Sequence, residues 1–217
     1  MHVVTIVSAP FEENSYVAHL DGRSDCLVFD PGLEPDQIAA YLDEKGLTPA
    51  ALMITHGHAD HIAGNAFMKE RWPACPIVIG QGDAAKLIDA ELNLSAPMGL
   101  PVTSPPADVT LAHGDTYSAA GFDLDVREIP GHSSGHVVYI WRGHEPPIVF
   151  GGDVLFAQSI GRTDFPDGSF EKLAAGIREH LFTLPDDTVV LSGHGPATTT
   201  GREKRLNPFV GEGAGAG

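Results

Sequence analysis

The segment THGHADH, residues 55–61, follows directly on the apolar run ALMIT, and this junction constrains the chain more than any other stretch. An apolar run of that length reads as a buried strand, so the polar cluster must lie where the strand leaves its sheet. Alternate residues of an extended segment point the same way, which aims His56 and His58 to one side. Asp60 and His61 then open a helix, whose first turn favours a carboxylate. Four metal-capable side chains within six residues can serve two adjacent cations, and imidazole with carboxylate suits borderline metals such as zinc.

Three further donors repeat the arrangement. His132 stands in IPGHSSGH after FDLDVRE, Asp153 in VFGGDVLF after PIVF, and His194 in VLSGHGP after TVVL. Each follows a predicted strand and neighbours glycine, which lets backbone turn sharply over a sheet rim and bring a side chain inward.

The surrounding chain alternates in the same way. Strands are expected at VVTIVS, SYVAHL, CLVFD, ALMIT and PIVIG, with helices over 35–45, from about 60, and over 84–90. A proline-rich loop over 93–109 is the one candidate boundary. Strands DTYSAAG, FDLDVREIP, HVVYIW and PIVF follow, then a helix from 169 to about 180 and the strand TVVLSG. Each half places strands first and a helix later, an α/β pattern for which two packed sheets with outer helices is one solution. With 217 residues, 42% hydrophobic and 19% charged, the composition fits one buried core. A single domain over residues 1–210 is therefore expected, with GEGAGAG, 211–217, as a flexible tail.

In their order and spacing, THGHADH, PGHSSGH, GGD and SGHGP resemble the metallo-β-lactamase superfamily over nearly the whole chain. LFAQSIGRTDFPDGS and GREKRLNPFV are similar to its compact glyoxalase-II-like hydrolases. The resemblance implies an αββα four-layer sandwich with the site along one edge of the two sheets. It implies that His56, His58 and His132 hold one metal, that Asp60, His61 and His194 hold another, and that Asp153 bridges them. Two divalent cations are the expected cofactors, zinc first, with iron or manganese acceptable to the same donors. Cysteine is absent from all seven positions, unlike the true β-lactamase pattern, in which a thiolate is common.

The implied reaction is hydrolysis of a thioester such as S-lactoylglutathione by a metal-bridging hydroxide. Asp60 is expected as the catalytic group, either as ligand or as orienter and proton acceptor of that water. Phe156 would line the substrate pocket, and Arg162 would either meet an anionic substrate or brace its loop by pairing with Asp164. Ordinary glyoxalase II proteins bind glutathione partly through basic residues of a C-terminal helical region. Here only twenty-three residues follow His194, so that clamp is largely missing.

Other classes share parts of the pattern. GHSSG, residues 131–135, spells a nucleophile elbow, with Asp153 and His194 in hydrolase order, yet the strand-like HVVYIW occupies the place of the required helix. A persulfide dioxygenase would hold one iron on His56, His132 and Asp153 and also carries a GRTDF-like segment. Against it, SGHGPATT resembles the hydrolase branch, and every donor for a second metal is present. A non-catalytic metal-binding module tends to close its coordination shell, whereas a pair of sites with solvent between them keeps an open position. A net charge of −16, from 13 basic and 29 acidic side chains, opposes nucleic-acid and anionic-membrane partners and leaves a small-molecule thioester as the expected one. The N-terminus lacks a basic n-region, and Cys26 and Cys75 read as buried inert thiols, so a reducing cytoplasm is expected.

Overall fold

The structure, a computed structural model, describes residues 1–214; Gly215 to Gly217, the end of the expected tail, lie outside the described residues. The chain divides into two units: Met1–Leu111 with Ser118–Gly121, and Ala112–Tyr117 with the chain from Phe122 onward. The proline-rich loop over 93–109 thus lies inside the first unit.

The first unit is built on a six-stranded sheet in sequential order: β1 (His2–Ser8), β2 (Glu13–His19), β3 (Asp25–Phe29), β4 (Thr48–Ile54), β5 (Ile77–Gly80) and β6 (Val109–Leu111). β1 to β3 pair antiparallel, and β3 to β6 pair parallel. Parallel strands need crossovers, supplied by α1 (Pro35–Lys45) and by the paired short helices α2 (Ala59–Ile62) and α3 (Asn65–Arg71). α1 starts with proline at its first position and ends on Gly46 at φ 64°, where Leu47 N–H donates to Leu42 O at 2.8 Å. Its Ile38 and Leu42 pack with Val17, Val28, Leu52, Ile54, Ile77 and Ile79. Ala51 and Met53, of opposite parity on β4, are also fully buried, so the strand is covered on both faces and reads as a continuous apolar run. Cys26 and Cys75 are free and buried in this unit, and desolvation pushes each thiol up to about 12.

The expected helix over 84–90 is instead a 3₁₀ helix over Gln81–Leu87. A 3₁₀ turn eclipses residues three apart, and here it brings Lys86 Nζ to 3.4 Å from buried Asp83 Oδ1. Asp83 also accepts a hydrogen bond from Gly57 N–H, 2.9 Å, which ties this turn to the segment after β4.

The second sheet runs in the order β14 (Thr198–Thr199), β13 (Val189–Ser192), β10 (Ile148–Gly152), β9 (Val137–Trp141), β8 (Phe122–Glu128) and β7 (Thr116–Ala119). β10 is antiparallel to β9 and parallel to β13, and β9 is antiparallel to β8. β8, β10 and β13 therefore run the same way and deliver their C-terminal ends to one edge of the sheet. The helix α4 (Phe170–Gly176), capped by the Ser169 hydroxyl, continues into a π turn over Ile177–Leu181. Leu173, Ala174, Ile177 and Leu181 pack on Val138, Ile140, Val149 and Val190. A small hairpin, β11 (Leu155–Phe156) and β12 (Ser159–Ile160), follows Asp153, and α5 (Thr200–Leu206) closes the unit. At the start of the expected tail, Gly211 N–H donates to Asn207 O and Glu212 N–H to Lys204 O.

Surface arginines are taken up by acidic neighbours: Arg23 by Asp25, Arg71 by Asp43, Arg142 by Asp125, Arg162 by Asp164 and Arg205 by Asp186, at 2.6 to 3.0 Å. No helix among the described residues is long and apolar enough to cross a membrane.

Candidate metal centre

In the first unit, parallel pairing sets Phe29 against Met53, so the residues after β3 and β4 emerge side by side. Asp30 follows β3 at φ 45° and is buried. Its Oδ1 accepts Thr55 N–H at 2.7 Å, and its Oδ2 accepts the Thr55 hydroxyl at 2.7 Å and His61 Nδ1 at 3.1 Å. The hydroxyl has one hydrogen, committed to Asp30, so at its 3.1 Å contact with His56 Nδ1 the oxygen accepts. Asp30 thereby puts the proton on Nδ1 of both His56 and His61 and leaves each Nε2 with its lone pair. His56 Nε2 stands 3.1 Å from His58 Nδ1, and His61 Nε2 stands 3.8 Å from Asp60 Oδ2. Two donors at about 2.0–2.1 Å from one tetrahedral ion are about 3.3 Å apart, so the His56 and His58 nitrogens are spaced as ligands of a shared cation.

In the second unit, His132 follows β8, Asp153 follows β10 and His194 follows β13. Asp153 Oδ2 lies 3.4 Å from His132 Nε2 and 3.6 Å from His194 Nε2, between the two imidazoles. His132 donates from Nδ1 to Arg162 O at 3.0 Å, which again puts the lone pair on Nε2. His136, for which no role was expected, accepts Asp153 N–H through Nε2 at 3.0 Å and is fully buried. Glycine is required at Gly161, where a Cβ would strike the Asp153 carbonyl oxygen and stand 3.0 Å from the His132 ring. The donor spacing and the Nδ1 protonation in each unit fit a borderline divalent cation bound by imidazole and carboxylate.

Each expected site residue is thus located. His56, His58 and His61 are buried and Asp60 is partly buried, all in the first unit; His132 and Asp153 are buried and His194 is 27% exposed, in the second. Phe156 is half-buried and meets the His194 ring edge-on, centroids 6.2 Å apart. Arg162 is 68% exposed and paired through both nitrogens with Asp164, and its guanidinium lies 4.7 Å from the Phe165 ring, which abuts His132. Of the two roles considered for Arg162, this is the geometry of the brace. Asp30 escaped the sequence reading although its signal was present, an acid closing the apolar strand CLVF before Pro-Gly.

The metallo-beta-lactamase superfamily model matches residues 9–194 and so spans both units. A probable metallo-hydrolase, YqgX of Bacillus subtilis, is 42% identical over 202 residues, covering 93% of both chains. The hydroxyacylglutathione hydrolase GloC of Haemophilus influenzae is 34% identical, covering 97% of this chain and 98% of its own. Among solved structures, the BLEG-1 B3 metallo-beta-lactamase is 36% identical with a TM-score of 0.91, covering 96% of this chain and 99% of that one. TTHA1623, crystallised in a di-iron-bound form, is 34% identical with a TM-score of 0.82, covering 95% and 99%. The chain belongs to the metallo-β-lactamase superfamily of metallo-hydrolases and has that family's single-domain mixed α/β fold with two sheets.

Proposed function

We propose that this protein is a dinuclear metal-dependent thioester hydrolase, in which His56, His58 and His132 form one donor set, Asp60, His61 and His194 the other, and Asp153 is shared. The observation that carries the reading is the position of Asp153 Oδ2 between two imidazoles at 3.4 and 3.6 Å, as a bridging carboxylate requires. The Nδ1 protons on His56, His61 and His132 support it, because they put the lone pair of each ring on the same atom, Nε2. Thioester chemistry is supported by the 34% identical hydroxyacylglutathione hydrolase.

When bound, a pair of divalent cations supplies Lewis acidity that makes water nucleophilic near neutral pH and polarises a carbonyl. The chain's own residues supply the rest. Asp60, whose Oδ2 lies 3.8 Å from His61 Nε2, would serve with His61 as a donor and would orient the attacking water or take its proton. Phe156 gives His194 an apolar flank that excludes water. A thiolate is a good leaving group, so the site needs no strong acid beside it. Zinc is the metal we expect, and the di-iron-bound relative makes iron the first alternative.

The test is elemental analysis of the purified protein with parallel assays of S-lactoylglutathione hydrolysis and persulfide-dependent oxygen uptake. Two metals with hydrolysis are expected, and a loss of at least about 100-fold in His58→Ala and Asp60→Asn with the circular dichroism spectrum retained. Full activity in metal-free His58→Ala would refute the proposal, and a single iron with oxygen uptake would replace it with the dioxygenase.

A further inference from the structure

A cavity of about 130 Å³ in the first unit is lined by Pro10, Phe11, Leu33, Met98, Leu100 and Val102, together with Ala59, Asp60 and Ser95. No lysine or arginine lines it. Four of these side chains are large, apolar and solvated: Phe11 is 41% exposed, Leu33 37%, Met98 56% and Leu100 71%. Scattered exposed apolar residues need no explanation, but their convergence around one concavity marks a surface that binds something apolar.

The walls are fixed in relation to Asp60. Asn93, fully buried, donates from Nδ2 to Lys86 O and Val102 O, and the Ser95 hydroxyl accepts Val102 N–H at 2.9 Å. Asn93 O in turn accepts Ala59 N–H, which joins the Met98 to Val102 wall to the turn that carries Asp60. The opposite wall is tethered where Ala9 N–H donates to Glu34 Oε2 at 2.7 Å. The cavity is therefore preorganised against the residue assigned to the attacking water.

We infer that this cavity is the acyl pocket of the enzyme and selects thioesters whose acyl group is an unsubstituted hydrocarbon of about four to six carbons, since cavities near this size accept a benzene-sized group. The inference rests on the thioester hydrolase reading and narrows it. The acyl side is assigned because the departing thiolate must reach water, whereas the acyl group stays at the site through attack. A hydroxyacyl group would leave its hydroxyl against apolar walls, and a glutathionyl carboxylate would find no cation there.

The experiment measures kcat/KM of the metal-loaded protein for N-acetylcysteamine thioesters of acetate, lactate, butyrate, hexanoate and decanoate. A rise of about fourfold per methylene from acetyl to hexanoyl, then a fall at decanoyl, is expected. The chain-length dependence should flatten in Val102→Trp, which fills the cavity, and in Leu100→Asp, a change at an exposed position that the fold tolerates. A flat series, or a lactoyl ester turned over faster than the butyryl ester, overturns the inference and leaves the hydrolase reading standing. Should no thioester be hydrolysed, the hydrolase reading fails, and the cavity is judged by calorimetry with the ketones in which CH₂ replaces the thioester sulfur. Affinity that rises with acyl length, with a negative heat-capacity change, supports the pocket, and equal affinity across the series refutes it.

Discussion

At Asp30 one carboxylate collects the Thr55 amide, the Thr55 hydroxyl and the His61 ring, and through the hydroxyl it also governs His56. Asp30→Asn keeps the shape but turns an N–H₂ toward one of these donors. It is expected to weaken zinc binding by about 10- to 100-fold with little change in secondary structure, read by competition with a chromophoric chelator; unaltered affinity would show that the orientation is set elsewhere. Glu13, the first residue of β2, carries a second prediction. Burial, followed by the neighbouring charges of Asp30 and Asp60, pushes its carboxyl well above the usual range, although His61 opposes the rise. The Ser15 hydroxyl, 2.7 Å from Asp30 O and 3.2 Å from Glu13 Oε2, also opposes the rise without cancelling it. A raised folded-state value means that the native state holds the proton longer than the unfolded chain, so this contribution is complete below about pH 4.5 and is lost as pH rises toward the folded value. Urea denaturation of chelator-treated protein between pH 5 and 8 should show stability falling with pH, with a shallower slope in Glu13→Gln. Parallel slopes would contradict the assignment.

Among the elements, the turn from β8 into His132 is specified by both backbone angle and space. Gly131 has φ 133°, and a Cβ there would strike Ser169 O and stand 2.6 Å from Leu173 N, at the start of α4. Gly131→Ala is expected to destabilise by about 1–3 kcal/mol, a melting temperature lower by roughly 2–10 °C in calorimetry; an unshifted transition would mean that the turn relaxes freely. The strand ends that carry the seven candidate donors and the helix α1 were legible in the sequence, because apolar runs ending in glycine with a histidine or aspartate report strand ends directly. The 3₁₀ helix at 81–87 was not, since propensity alone does not reveal that Asp83 is claimed by Gly57 and Lys86. Asn93 and Ser95 hid in the same way. They stand in a proline-rich stretch that reads as an open loop, and their side chains staple it from within. Asp30 and His136 bond to candidate donors far off in sequence, so the local signal at Asp30, an acid closing an apolar strand, does not say which imidazole it meets, and His136 has no local motif at all.

For the molecule as a whole, cation binding and folding are linked, because the unfolded chain cannot hold the donors at ligand spacing. Zinc at about one hundred times its dissociation constant should add roughly 2.7 kcal/mol, which for a chain of this size raises the melting temperature by about 5–10 °C. Differential scanning fluorimetry with zinc and with EDTA checks this, and coincident melting curves would refute it. The pairing of surface arginines with acidic neighbours bears on what happens after turnover. If the proposed thioester cleavage is the reaction, it creates a carboxylate, and this newborn anion faces an exterior on which five of the eight arginines are paired with acidic neighbours and whose formal charge is −16. The net negative field of the protein would drive it outward. On that reading, the same acidity that turns away polyanions would hasten departure of the acid and limit inhibition by the product.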